Sequence, residues 1–79
     1  MMEIIYYSRP NCGLCEDGKQ MLNLMREDIP FQVKEVNIEE DDELHKKYMM
    51  MIPVVEKDGQ IIQYGVLDYV TLLEGISAN

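Results

Sequence analysis

A chain of 79 residues with 47% hydrophobic content is long enough for one small folded domain, residues 1–79, with a modest core. Fifteen acidic and seven basic residues give a net charge of −8, which disfavours nucleic acid and anionic membranes as partners because their phosphates would repel the chain. No apolar run approaches the ~20 residues that cross a bilayer, and no basic segment followed by an apolar one opens the chain. We therefore expect a cytoplasmic domain with neither nucleic-acid nor membrane partners.

The first predicted element is a strand that is buried on both faces. After Glu3, the run Ile4-Ile5-Tyr6-Tyr7 is continuously apolar and rich in β-forming residues, as expected of a central strand. The loop Ser8-Arg9-Pro10-Asn11 follows and leads to Cys12 and Cys15, the two cysteines of the chain. A Cys-x-x-Cys pair between a strand and a helix is typical of a disulfide that is made and broken.

A helix is predicted from Cys12 to about Asp28, with Asn11 as its N-cap. Gly18 in mid-helix indicates close packing against a strand. The N–H groups of the first turn lack intrahelical partners and, together with the helix dipole, favour an anion at Cys12. We therefore expect the pKa of the Cys12 thiol to lie below the free value of ~8.5, so that Cys12 attacks a substrate disulfide and Cys15 resolves the intermediate.

Two other uses of a cysteine pair fit this spacing less well. A permanent disulfide across a four-residue loop would restrict the unfolded chain little. A structural zinc ion requires four ligands, whereas the two thiols are accompanied by a single histidine, His45, which we expect to be solvated. Metal binding would therefore require two chains, so a dimeric metal- or iron–sulfur-binding module without turnover is the alternative to an oxidoreductase.

The remaining predicted elements are two helices and three strands. Residues 31–38 predict an edge strand, because polar residues are mixed into it. A second helix is predicted over residues 41–50, with the acidic run 39–43 at its solvated N-terminus. The runs 53–57 and 60–64 flank Asp58-Gly59, which is a strong hairpin signal. A closing helix is predicted from Val66 to near Gly75.

The predicted fold class is therefore α/β, in the order β-α-β-α-β-β-α. The first two strands should be parallel with a right-handed crossover, and the last two antiparallel. Helices should cover both faces of this four-stranded mixed sheet. The triplet Met49-Met50-Met51, just before Ile52-Pro53, is expected to fill the core, with an apolar rim for protein partners as the alternative.

Three segments resemble the short glutaredoxin-like proteins of bacteria, which have the thioredoxin-like fold in its minimal form. These segments are Tyr7-Ser8-Arg9-Pro10-Asn11-Cys12-Gly13-Leu14-Cys15, Ile52-Pro53-Val54-Val55 and Tyr64-Gly65-Val66-Leu67-Asp68. The resemblance implies that Cys12 is the nucleophile, that Cys15 is the resolving cysteine and that Arg9 is a basic residue of the substrate site. It also implies that Pro53 is a cis-proline facing the disulfide. Ile52 would pair its backbone with an extended substrate, and Gly65 would border the same site.

The resemblance further implies a thiol–disulfide oxidoreductase that acts on protein disulfides and needs no bound cofactor. Glutathione or a flavoprotein reductase would then be the electron donor. Glutaredoxins proper have two adjacent glycines at the glutathione site, whereas here Val66 follows Gly65. A valine would crowd a ligand that approaches the backbone, and glutathione is anionic like the chain itself, so we expect glutathione to bind poorly.

Overall fold

A computed structural model describes residues 2–78; Met1 and Asn79, the two ends of the predicted domain, lie outside the described residues. The strands are β1 (Glu3–Ser8), β2 (Gln32–Asn37), β3 (Val54–Lys57) and β4 (Gln60–Tyr64). The helices are α1 (Gly13–Met25), α2 (Asp42–Tyr48) and α3 (Tyr69–Ser77), with a 3₁₀ turn at Ile38–Glu40 before α2. No helix within residues 2–78 is both long enough and apolar enough to cross a membrane.

The four strands form one mixed sheet in the order β2-β1-β3-β4. β1 pairs parallel with β2 and antiparallel with β3, so the continuously apolar segment is the inner strand and β2 lies at an edge, as predicted. β3 and β4 form the predicted hairpin, in which Lys57 pairs with Gln60. The two turn residues, Asp58 and Gly59, both have positive φ angles (51° and 80°), as a tight type I′ turn requires.

Successive side chains of β1 point to opposite faces of the sheet, and each face has its own apolar core. On one face, Ile4 and Tyr6 pack with side chains of α1 and α3, including Leu22 and Leu72. On the other face, Tyr7 packs with Val54 and with two residues that follow β2, Ile38 and Tyr48. The rings of Tyr7 and Tyr48 lie 4.7 Å apart between centroids, which fastens α2 to the central strand.

All three helices differ from their predicted limits: α1 ends at Met25 and not near Asp28, and α2 spans Asp42–Tyr48 and not residues 41–50. The acidic run lies, as expected, at the start of α2, where the Asp41 side chain accepts hydrogen bonds from the N–H groups of Glu43 (2.9 Å) and Leu44 (3.1 Å). α3 begins at Tyr69 and not at Val66, because the Asp68 carboxylate caps it by accepting from the Thr71 N–H at 2.8 Å. It continues through Gly75 to Ser77, and a Cβ at Gly75 would collide with Ile62.

Gly18 brings α1 into close contact with β1. It is buried, and a Cβ at this position would overlap the Tyr6 hydroxyl and the Leu67 side chain. The prediction that Gly18 marks close packing against a strand is therefore confirmed. The glycine sets how near the first turns of α1 lie to the sheet.

We expect Gly18→Ala to lower the free energy of unfolding by roughly 1–3 kcal/mol, because the added methyl group must displace Tyr6 or Leu67 in a packed core. Urea denaturation with the disulfide intact measures this change. Gly13→Ala is the matched control, since a Cβ there meets nothing within 4 Å. The control should be neutral or stabilising by up to about 1 kcal/mol, and equal effects of the two substitutions would contradict the assigned contact.

Candidate active site

The two cysteines form a disulfide at the N-terminus of α1, with their Cα atoms 5.2 Å apart. Cys12 is the N-cap residue, with extended backbone angles (φ −124°, ψ 107°), and its Sγ atom accepts a hydrogen bond from the Cys15 N–H at 3.2 Å. The prediction of Asn11 as N-cap and Cys12 as first helical residue is therefore wrong by one position. Asn11 instead has a φ of 58°, a left-handed conformation that asparagine tolerates better than most residues.

The two sulfur-bearing residues differ in their access to solvent. Cys15 is only 4% exposed, whereas Cys12 is partly exposed at the end of the helix. The N–H groups of the first turn point toward Cys12, where they stabilise negative charge on sulfur. A disulfide that approaches from solvent therefore meets Cys12 first, in the position that favours a thiolate.

The hydroxyl of Tyr6, on strand β1, contacts the first turn of α1, and the sequence did not predict this contact. It donates a hydrogen bond to the Cys15 carbonyl at 2.6 Å, and the N–H of the same peptide unit, on Glu16, donates to the Cys12 carbonyl at 3.1 Å. Burial raises the pKa of Tyr6 well above its ordinary value, and the Glu35 carboxylate raises it further, so the hydroxyl stays protonated as a donor. The signal in the sequence was a tyrosine in an apolar strand together with a mid-helix glycine.

Arg9 borders a shallow cavity of about 150 Å³ beside the disulfide. The cavity is lined by Ser8, Arg9, Pro10, Cys15, Glu16, Lys19, Glu35 and Asn37. Lys19 and Glu35 form an ion pair across it at 3.2 Å, but both side chains are about half exposed, so the pair contributes little stability. The structure thus places Arg9 and Cys15 in the lining of the same cavity.

Pro53 lies at the same end of the sheet as the disulfide. Val54 pairs with Tyr7, so Pro53, one residue earlier, stands beside the end of β1 from which the chain leads to Cys12. Pro53 is buried, and its peptide bond with Ile52 is cis. The N–H of Gly65 donates to the Pro53 carbonyl at 2.8 Å. This hydrogen bond holds the segment Tyr64-Gly65-Val66-Leu67-Asp68 at the same end of the sheet.

Gly65 has a φ of 78°, a conformation that glycine adopts readily, and a Cβ there would meet no atom within 4 Å. The Val66 side chain that follows is 76% exposed. Val66 is the residue that we expect to crowd a ligand approaching the backbone at Gly65.

The backbone before Pro53 is already hydrogen-bonded. The N–H groups of Met51 and Ile52 both donate to the Tyr48 carbonyl, at 2.8 and 3.0 Å. Strand-like pairing of a substrate with the Ile52 N–H would therefore require this hydrogen bond to break. In this conformation, the groups of Ile52 that are left for the expected binding of an extended substrate are its carbonyl and its side chain.

The two larger cavities lie away from the cysteines. One, of about 410 Å³, is at the opposite end of the sheet, between the start of β1 and the β3–β4 turn. The other, of about 630 Å³, lies between the hairpin and α3. Across residues 2–78 no group of three or more His, Cys, Asp or Glu side chains is placed to hold a metal ion.

Comparison with solved structures identifies the fold as that of thioredoxins and glutaredoxins. A protein from Nitrosomonas europaea has a TM-score of 0.78 at 22% identity, over 90% of this chain and 86% of that one. The glutaredoxin of Archaeoglobus fulgidus has a TM-score of 0.63 at 23% identity, over 99% and 89% of the two chains. Mitochondrial thioredoxin 3 of Saccharomyces cerevisiae has a TM-score of 0.65 at 23% identity, over 94% and 74%.

The chain belongs to the Glutaredoxin-like domain family (DUF836), whose pattern matches residues 3–77. No curated protein sequence gives a significant match to the chain. The predicted resemblance to glutaredoxin-like proteins and the predicted thioredoxin-like fold are both confirmed. Family, fold and the Cys12–Cys15 pair together support a thiol–disulfide redox function.

The difference in accessibility predicts which cysteine attacks. We expect Cys15→Ser to accumulate a mixed disulfide through Cys12 when the reduced protein is mixed with an oxidised peptide disulfide. Cys12→Ser should accumulate none, because the remaining thiol is buried. The mass of the covalent adduct measures both outcomes.

Serine is a favourable N-cap residue, so Cys12→Ser keeps the start of α1 intact and its inactivity would be chemical. Far-ultraviolet circular dichroism checks that both variants are folded. Adducts of equal yield in the two variants would refute the assignment of Cys12 as the attacking thiol.

Proposed function

We propose that the protein is a dithiol–disulfide oxidoreductase that reduces disulfides of other proteins in the cytoplasm. The observation that carries this proposal is the disulfide at the N-terminus of α1, with one partly exposed and one buried sulfur. A disulfide spanning four residues contributes little to stability, whereas this position suits a nucleophilic thiolate. Glutathione or a flavoprotein reductase would return the pair to its dithiol form, and no bound cofactor is needed.

The exchange proceeds in two steps. The Cys12 thiolate attacks one sulfur of the substrate disulfide, forms a mixed disulfide and expels the second substrate sulfur as a thiolate. Cys15 then loses its proton to solvent and attacks the Cys12 sulfur, which expels the first substrate sulfur. Two electrons pass to the substrate, whose two thiolates take up protons from solvent, and the Cys12–Cys15 disulfide is formed.

A reversible redox couple is the first consequence of this proposal. We expect the Cys12–Cys15 couple to equilibrate with a glutathione redox buffer at a potential of roughly −270 to −200 mV, the range of thioredoxins and glutaredoxins. The reduced and oxidised forms can be separated by thiol alkylation and mass spectrometry. A potential below about −300 mV would indicate a structural disulfide and would overturn the proposal.

Discrimination against glutathione is the second consequence. We expect slow reduction of a glutathione mixed disulfide and faster reduction of a protein disulfide, because an exposed valine, Val66, follows Gly65 where glutaredoxins proper have a second glycine and because the chain is acidic. Val66→Gly should raise the rate with the glutathione mixed disulfide by roughly tenfold if removing the side chain recovers about 1.4 kcal/mol of binding.

Val66→Thr is the matched control, since threonine keeps the branched shape of valine and should remain slow. Stopped-flow measurement with the pre-reduced protein gives the rates directly. Rapid turnover of glutathione mixed disulfides by the unmodified protein would refute this specificity and assign the protein the behaviour of an ordinary glutaredoxin.

A further inference from the structure

A buried tyrosine hydroxyl contacts the backbone of the cysteine pair. Tyr6 is 1% exposed, and its hydroxyl meets α1 where Gly18 leaves room for it. A buried hydroxyl costs free energy unless it finds a hydrogen-bond partner. The partner here is the carbonyl oxygen of Cys15, at 2.6 Å. The central strand is therefore tied to the residue that resolves the mixed disulfide.

The backbone extends this hydrogen bond to the other cysteine. The peptide group that accepts from Tyr6 donates through its N–H, on Glu16, to the Cys12 carbonyl at 3.1 Å. Hydrogen bonds linked through one peptide group polarise each other, so each strengthens the next. The Cys15 N–H also donates to the Cys12 Sγ atom, at 3.2 Å. Tyr6 thus helps to fix the position of Cys15 relative to Cys12.

The position of Cys15 matters most while Cys12 is bound to substrate. In the mixed disulfide the Cys12–Cys15 bond is absent, so backbone contacts must hold Cys15 within reach of the Cys12 sulfur. An intramolecular attack of this kind is fast only when the reacting atoms are held in the right geometry. Helix ends fray, and the N–H groups of a first turn lack intrahelical partners. A contact from the sheet to this turn therefore raises the fraction of molecules that are ready for the second step.

We propose that Tyr6 is a positioning residue for the resolving step, and that its hydroxyl speeds the attack of Cys15 on the mixed disulfide. The inference rests on the proposed oxidoreductase function and adds a residue to its mechanism. The Cys15 thiolate forms a bond to the Cys12 sulfur, and the bond from Cys12 to the substrate sulfur breaks. The electron pair of that bond leaves with the substrate thiolate, and the Tyr6 hydroxyl keeps its proton throughout.

The hydroxyl acts through geometry and not as an acid or a base. Burial and the nearby Glu35 carboxylate raise the pKa of Tyr6 above its ordinary value, so the group stays neutral. Its one proton is directed at the Cys15 carbonyl, which leaves none for a sulfur atom. We therefore expect the first step, attack by the Cys12 thiolate, to be independent of Tyr6.

The test compares Tyr6→Phe with the matched control Tyr69→Phe. The first substitution removes the hydroxyl and keeps the buried ring, so the core stays filled. The second removes a hydroxyl that donates to an Asp28 carboxylate oxygen at 3.0 Å, beyond the far end of α1. Circular dichroism and thermal unfolding of the oxidised and reduced forms check that both variants fold.

The first measurement follows a single turnover of the pre-reduced protein with excess hydroxyethyl disulfide, by acid quench and mass spectrometry. We expect Tyr6→Phe to form the Cys12 mixed disulfide at the same rate as the unmodified protein. It should resolve that intermediate roughly fivefold more slowly, the order of change that one hydrogen bond produces. Tyr69→Phe should match the unmodified protein in both steps.

The second measurement is the equilibrium of the cysteine pair with a glutathione redox buffer. Two sulfurs that are held together less well close their disulfide less readily, so Tyr6→Phe should lower the equilibrium constant for closure roughly fivefold. This change corresponds to a potential about 20 mV less negative, because a tenfold change corresponds to about 30 mV. A purely structural contact, equally strong in both forms, would lower the stability of both and leave the potential unchanged.

Gly18→Ala provides an independent route to the same loss. Its added methyl group overlaps the Tyr6 hydroxyl, so we expect slower resolution and a potential shifted in the same direction. In the double variant with Tyr6→Phe the hydroxyl is already absent, so the two effects on the resolution rate should not add. Additive effects would contradict the proposal. Gly18→Ala also decides the question if Tyr6→Phe does not fold.

The outcomes separate this inference from the function on which it rests. If the unmodified protein neither reduces hydroxyethyl disulfide nor equilibrates with the buffer, the oxidoreductase function is wrong and the inference falls with it. If the unmodified protein turns over but Tyr6→Phe resolves the mixed disulfide at the same rate, the inference alone is overturned. It is also overturned if Tyr6→Phe slows the first step instead, or if Tyr69→Phe produces the same delay.

Discussion

The close approach of helix α1 to strand β1 at Gly18 is the contact on which the redox site depends. With no side chain at this position, the Tyr6 hydroxyl fits under the helix and donates to the Cys15 carbonyl. The same peptide unit donates through its N–H to the Cys12 carbonyl, so a chain of hydrogen bonds joins the central strand to the cysteine at the helix terminus. A larger residue at 18 would separate the two elements and leave the disulfide on an unsupported turn.

Two other segments are brought to the disulfide by the sheet. Pairing of Val54 with Tyr7 sets Pro53 beside the end of β1, and the hydrogen bond from Gly65 to the Pro53 carbonyl adds the start of the loop into α3. Residues more than fifty positions apart in the chain therefore share one end of a small domain. Loops carried on a rigid sheet are a common location for binding residues, because the sheet fixes their positions while their side chains stay accessible.

The length of helix α2 links the packing of the second core to the exposed surface. Tyr48 ends this helix with its ring against Tyr7, and its carbonyl then accepts hydrogen bonds from Met51 and Ile52. That tight turn directs Met51 inward and leaves Met49 and Met50 in solvent. The turn that positions the Ile52–Pro53 bond also engages the Ile52 N–H in a hydrogen bond with the Tyr48 carbonyl.

The sequence by itself determined the order of the elements, the hairpin at Asp58-Gly59 and the cysteine pair between strand and helix, because each depends on residues that are neighbours in the chain. It also indicated the close packing at Gly18, since a glycine in mid-helix requires a reason in its surroundings. Only the tertiary structure decided that Cys12 caps α1 while Asn11 takes a left-handed conformation, because the loop must turn sharply between β1 and the helix. The same holds for the Tyr6 contact, the burial of Met51 and the exposure of Met50, which depend on residues that meet only when the sheet is assembled.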